Sequence, residues 1–184
     1  MSYVGSLDGS THRTEVNQMP VICRLLKLSP EQAEALIESS ENLQGTIKSC
    51  NNYSDVYRYW HGIQFLLSRH SPQSVGVNWL ESGKTISVAS GEIPASRVLS
   101  PEEVRVIASE IGGIVPEDLI PHYLASALDE AQVYPRCWQE WEETFDPLGQ
   151  TLEHYHFLQE FVTSRASAGD ALLLHFEFKD DGSV

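Results

Sequence analysis

One run, Tyr59-Trp60-His61-Gly62-Ile63-Gln64-Phe65-Leu66-Leu67-Ser68, limits what this chain can fold into more than any other stretch. Val56, Tyr59 or Trp60, Ile63 and Leu67 recur at three- and four-residue steps, which predicts a helix over 53–69 with these residues on one face. Phe65 and Leu66 widen the stripe, so the helix belongs between other elements. Gly62 costs such a helix about 1 kcal/mol relative to Ala and marks the close approach of a neighbour. His61 and Gln64 stand three apart on one side, where a common partner can meet both. Their ordinary role is that of satisfied polar residues at the core edge.

Around this helix the punctuation is local and physical. Val21 to Leu28 is β-leaning and stops at Ser29-Pro30-Glu31-Gln32, which supplies an N-cap, Pro at N1 and Gln at N3: a capping box opening a helix to about Ser39. Residues 40–52 read as a loop with one helical turn near Leu43 to Lys48. Beyond the break at His70-Ser71-Pro72, shorter apolar steps predict a strand over 85–89 and another over 96–98. Ser100-Pro101-Glu102-Glu103 repeats the capping device, and its helix ends at Gly112-Gly113. Pro116-Glu117-Asp118 starts a helix to about Leu128. Val133 to Trp138 is an aromatic connector, extended at Tyr134 because Pro follows. Pro147 to Ala168 is the longest helix, with Gly169 beyond its end, and Ala171 to Phe178 is a closing strand. Helices outweigh strands without regular alternation, which predicts a single α+β domain over 19–184. Its small mixed or antiparallel sheet is packed by about five to six helices. Residues 1–18 are polar and without period, and read as a mobile tail.

Charge excludes more than it assigns. A net charge of −14, from 26 acidic and 12 basic residues, opposes binding to nucleic acid or to an anionic membrane. No apolar run approaches the roughly 20 residues of a membrane span, and the opening residues lack the pattern of a signal peptide. The expectation is a cytoplasmic chain with a basic protein partner. Cys23, Cys50 and Cys137 have unrelated spacings, which fit reduced thiols and neither a disulfide framework nor a metal site.

No Gly-rich phosphate loop, H-E-x-x-H, G-x-S-x-G or Cys-x-x-Cys is present, so no cofactor, no metal and no catalytic residue is assigned and the reading leans away from an enzyme. His154 and His156 lie about 200° apart on a helix and cannot share a metal. Asp129-Glu130 and Glu142-Glu143 read as solvated charge. Polar residues in apolar settings are His61, Gln64, Arg97 and His175. A pocket needs His61, Gln64, Arg97 and Tyr134 to converge. Trp138 and Trp141 beside Glu140, Glu142, Glu143 and Asp146 form an aromatic and acidic patch of the kind a basic partner grips.

Several blocks together resemble the YfbM-like family, bacterial domains of unknown function. They are Leu28-Ser29-Pro30-Glu31-Gln32, the Trp60 to Ser68 run, Leu99-Ser100-Pro101-Glu102-Glu103-Val104, Val133-Tyr134-Pro135 with Trp138, and Gly169-Asp170-Ala171-Leu172-Leu173. The likeness runs from about residue 20 to 178 and implies one α+β domain in a bacterial cytoplasm, without implying a reaction. The family tends to place His where this chain has Gln64, and a proton-transfer role there would be lost in Gln.

The function expected from these features is non-catalytic binding, of the kind by which an acidic immunity or antitoxin protein covers the active site of a basic toxin enzyme. The alternative is a small-molecule or enzymatic site between the central helix, Arg97 and the Tyr134 to Trp138 connector.

Overall fold

Both faces of the two longest strands are apolar, and this decides the centre of the fold. In β1 (Val21–Leu28), Val21, Cys23 and Leu25 project to one side and Leu26 and Leu28 to the other, all buried. In β5 (Ala171–Phe178) the corresponding sets are Leu172, Leu174 and Phe176 against Ala171 and Leu173. Strands of this kind need cover on both faces. The computed structural model describes residues 20–179 apart from positions 75 and 92. In it β1 and β5 pair antiparallel along their whole length, from Val21 opposite Phe178 to Leu28 opposite Ala171. The sheet is antiparallel, in the order β2-β1-β5-β4-β3, where β2 is Tyr53–Tyr57, β3 Lys84–Thr85 and β4 Arg97–Leu99. The fold is α+β, as the sequence predicts, and the mixed-sheet option falls away.

Seven α-helices occur among the described residues. On one face, α1 (Pro30–Glu38) and α2 (Leu43–Ser49) cover Leu26, Leu28, Val98 and Leu173. The other face carries the larger core, built from α3 (Trp60–His70), α4 (Pro101–Ile111) and α7 (Pro147–Ala168) against Leu25, Leu174 and Phe176. Tyr155, Leu158 and Val162 of α7 are almost fully buried, worth roughly 1.5–3 kcal/mol apiece for the aliphatic side chains. The carbonyls that α4 leaves open at its end are met from α7. The Tyr155 hydroxyl lies 3.0 Å from Ile111 O and 2.9 Å from Ile114 O, and Gln159 Nε2 donates to the same two oxygens at 2.8 Å.

Both capping boxes form, at Ser29 with Gln32 and at Ser100 with Glu103. Gly169 ends α7 with a left-handed φ of 72°. Gly62 is a point of close approach: a Cβ there would stand 2.5 Å from the ring of Trp138.

Three expectations change. Residues 53–57 form strand β2, so the central helix begins only at Trp60; Tyr57 turns at φ 52° and breaks the run. Of the expected strand over 85–89 only Thr85 is in a strand, the two-residue β3, and the chain beyond it closes through the Ile86 N–H on Ser96 O and an isolated bridge between Ser90 and Ile93. The single helix expected from Pro116 to Leu128 divides into a 3-10 helix over Pro116–His122 and α5 (Ala125–Glu130). Leu124 between them is extended. A short helix, α6 (Trp138–Glu142), fills the region after the connector. The polar tail over 1–18 lies outside the described residues.

Candidate functional site

The four residues expected to form a pocket do not converge. His61 and Tyr134 meet: the Tyr134 N–H donates to His61 Nδ1 at 3.0 Å, which puts the ring proton on Nε2. Trp60 stacks on both, with ring centroids 5.1 Å from His61 and 5.4 Å from Tyr134. The far end of Tyr134 is also tied, since its hydroxyl accepts the Val21 N–H at 2.7 Å. These residues line a cleft of about 270 Å³ together with Ile93, Pro94 and Arg136. Burial, with help from the nearby Arg136 charge, lowers the His61 pKa and keeps the ring neutral.

Gln64 and Arg97 are committed elsewhere. Gln64 Nε2 donates to Asn78 Oδ1 at 3.1 Å. Arg97 reaches across to the loop before β3, with Nε on Ser82 O at 2.7 Å and Nη2 on Gly83 O at 3.0 Å. Its guanidinium therefore braces backbone carbonyls. His175 is 8% exposed and Ser96 3%; Ser96 Oγ lies 3.0 Å from His175 Nδ1, and Glu177 stands 3.6 Å from Nε2. The order Ser, His, Glu resembles a nucleophile with its base, yet Ser96 is closed to any substrate and the set works as a tie between β4 and β5.

The acidic and aromatic patch divides by depth. Trp138 is fully buried, and its indole N–H donates to Val133 O at 3.0 Å. It belongs to the core, not to a partner surface. Trp141 is half-buried and gathers Tyr59, Trp138 and Phe145 at ring distances of 6.1, 5.5 and 5.1 Å. Glu140, Glu142, Glu143 and Asp146 are exposed, and Phe145 stays 41% exposed among them. Asp129, expected as loose surface charge, has structural work instead: its carboxylate accepts the Trp138 N–H at 2.8 Å and the Gln139 N–H at 3.1 Å. It caps α6 from outside the helix. Asp146 likewise accepts the Gly149 N–H at 2.8 Å and opens α7.

Tyr123 reports on the field at this end of the molecule. Burial first, and then the carboxylates of Glu142, Asp146 and Asp129, push its pKa well above the usual tyrosine range. Acidic residues distant in sequence thus act on one point. Tyr123 and Phe145 are the members of this surface that sequence reasoning missed. An apolar residue outside a regular helix carries no periodic signal by which it could be found.

A second row of rings continues from Trp141. Tyr59 stacks on His154 at 4.9 Å, and Phe157 meets His154 edge-on at 6.2 Å. Arg58 lies over Tyr57 and over Trp141, at 4.8 and 5.4 Å from the ring centroids. His154 turns inward and His156 outward toward Glu160, as their spacing demands. The three cysteines are free, and burial pushes the Cys23 thiol far up. No helix among the described residues is long and apolar enough to cross a membrane.

No curated protein matches the chain. Among solved structures it is similar to the protein of unknown function YfbM from Escherichia coli, with a TM-score of 0.56 and 15% identity over 84% of this chain and 99% of that one. At that identity the likeness shows a common fold. A family model matches far more of the chain than any short motif does, over residues 19–175, and the chain belongs to the family it describes, Domain of unknown function (DUF1877).

Proposed function

We propose that this domain is a non-catalytic cytoplasmic binding protein of the immunity or antitoxin type, which neutralises a basic toxin enzyme by covering its active site. One observation carries the reading: the exposed ring of Phe145, backed by Trp141, is flanked in the chain by the exposed residues Glu140, Glu142, Glu143 and Asp146. An apolar centre with a charged rim is the anatomy of a protein interface. The net charge of −14 adds a long-range field that draws a basic partner toward it.

The test compares capture from the native host by the natural chain and by the triple variant Glu140→Lys, Glu142→Lys, Glu143→Lys. Asp146 is left intact because it caps α7. One basic enzyme should be retained in stoichiometric amount by the natural chain and lost by the variant. A matched triple reversal at the exposed Glu34 and Glu38 on α1 and Glu41 just after it should retain it. Equal retention by the patch variant, or a captured partner that is acidic, would sink the proposal.

A further inference from the structure

The free edge of the sheet is finished at one end and open at the other. β2 is an outermost strand. The Lys27 N–H donates to Asn52 O at 3.0 Å, so Lys27 and Asn52 form a hydrogen-bonded pair of the ladder. Antiparallel pairs alternate, which turns the backbone groups of Tyr53 and Asp55 away from β1. Toward the Tyr57 end the chain's own side chains cap what faces outward. Asp55 O accepts from His154 Nδ1 at 3.2 Å, and the Tyr57 N–H donates to Asp55 Oδ1 at 2.7 Å. Among the described residues no side chain does the same for Tyr53. Exposed strand edges are normally blunted because they template pairing with another chain; here the blunting stops halfway.

The open half borders a groove of about 420 Å³ between β2 and α7, lined by Tyr53, Ser54, Asp55, Phe157, Glu160 and Phe161. Three of these are aromatic and two are carboxylates; Asp55 is paired with Arg24 of β1 at 3.7 Å, whose guanidinium also lies over the Tyr53 ring at 5.4 Å, which leaves Glu160 as the carboxylate at the rim. Tyr53 is 49% exposed and Phe157 45%.

We propose that this edge is a docking strand for an extended basic segment of the partner, which adds to β2 at Tyr53 in antiparallel or parallel pairing. The inference rests on the protein-binding reading for the sign of the partner's charge, and adds a second contact and a mode of recognition. An added strand places alternate side chains on opposite faces. One set falls beside Phe157 and Phe161 on the α7 side and suits apolar residues. The other falls on the face where Arg24 already covers Tyr53 and pairs with Asp55 and suits polar residues, and a Lys or Arg near the rim meets Glu160. Backbone hydrogen bonds supply the affinity and the alternating pockets the selection. A second copy of the chain is a poor occupant, since two molecules of charge −14 repel each other.

Recognition by backbone and charge can be probed with a generic ligand, a short peptide alternating Lys and Val. Titrated into the isotopically labelled chain, it should give saturable amide shifts at Tyr53, Ser54, Asp55 and Phe157, and slow the hydrogen exchange of the Tyr53 N–H. N-methylation of alternate peptide amides should weaken binding about tenfold, the equivalent of one or two backbone hydrogen bonds. The exposed Glu160→Arg variant, its fold checked by circular dichroism, should weaken binding by about the same factor. The inference falls if no saturable shift occurs at β2, or if the N-methylated peptide binds equally well. Shifts confined to α6 would overturn this docking mode and leave the protein-binding reading standing. Self-association of the free chain that Glu160→Arg abolishes would give the edge to a second copy and overturn it as well.

Discussion

The middle of the sheet and its β2 side are built from the same strand geometry with opposite finish. Along β1 and β5 the ladder is complete over eight residues each, both faces are covered, and nearly every side chain is buried. Along β2 and the neighbouring α6, side chains stand in for missing strands and caps: His154 holds a carbonyl of β2, Asp129 holds the amides of α6, and Arg58 lies across two rings. The first region gains its stability from burial and leaves little side-chain surface exposed. The second keeps rings, carboxylates and part of a strand edge at the surface, which is where binding has room to occur.

Mutations at the join between the two regions should have the largest effect. Trp138 is fully buried against Gly62 of the central helix although it opens the acidic surface, so Trp138→Ala should lower the stability of the whole domain by about 3–5 kcal/mol, read from urea unfolding. A loss below about 1 kcal/mol would show that α6 folds apart from the core. Asp129→Ala should cost about 1–2 kcal/mol, the range for a lost helix cap, and should raise hydrogen exchange at Trp138 and Gln139 while leaving β1 and β5 protected.

Acid should separate the regions by a shallower effect. Burial lowers the pKa of His154 beside β2, against the opposing influence of the Asp55 carbonyl and carboxylate; burial also lowers that of His175 in the centre, with Glu177 opposing and Arg24 assisting. A histidine whose folded pKa lies below its unfolded value of about 6.5 takes up its proton first in the unfolded chain. Stability should therefore be flat above that pH, fall as the pH drops through it, and level off below the folded values. His154→Gln should flatten the curve and speed exchange at the β2 edge alone. Smallest of all, Glu140→Lys with Glu142→Lys and Glu143→Lys should move stability by no more than about 0.5 kcal/mol. The same changes should slow association with the partner and weaken its salt dependence, measured by stopped flow.

How much of this is legible in the sequence depends on the range of each interaction. Ser29 with Gln32, Ser100 with Glu103, and Gly169 act within one turn of helix, and the residues alone place them. Gly62 correctly marks a close neighbour, although nothing local names Trp138 as that neighbour. β2 carries the pattern of a helix because Val56 and Tyr59 keep the apolar spacing of Ile63 and Leu67 while the chain turns at Tyr57 between them. The candidate pocket is half legible: His61 and Tyr134 meet, but Arg97 finds carbonyls that only the tertiary fold brings near. The cap that Asp129 gives to Trp138 is set by the path of the connector, for which no periodic rule exists.

The pairing of Val21 with Phe178 means that the central strand β5 and its neighbour β1 are, among the described residues, the last and the first strands to be made. During synthesis β1 has its neighbour β2 early, yet its other edge waits for nearly the whole remaining chain. Contacts so distant in sequence carry a large closure entropy and fold slowly. The domain must therefore complete its centre after translation of β5, and until then the edge of β1 that β5 will cover is the one in need of protection from the wrong partner.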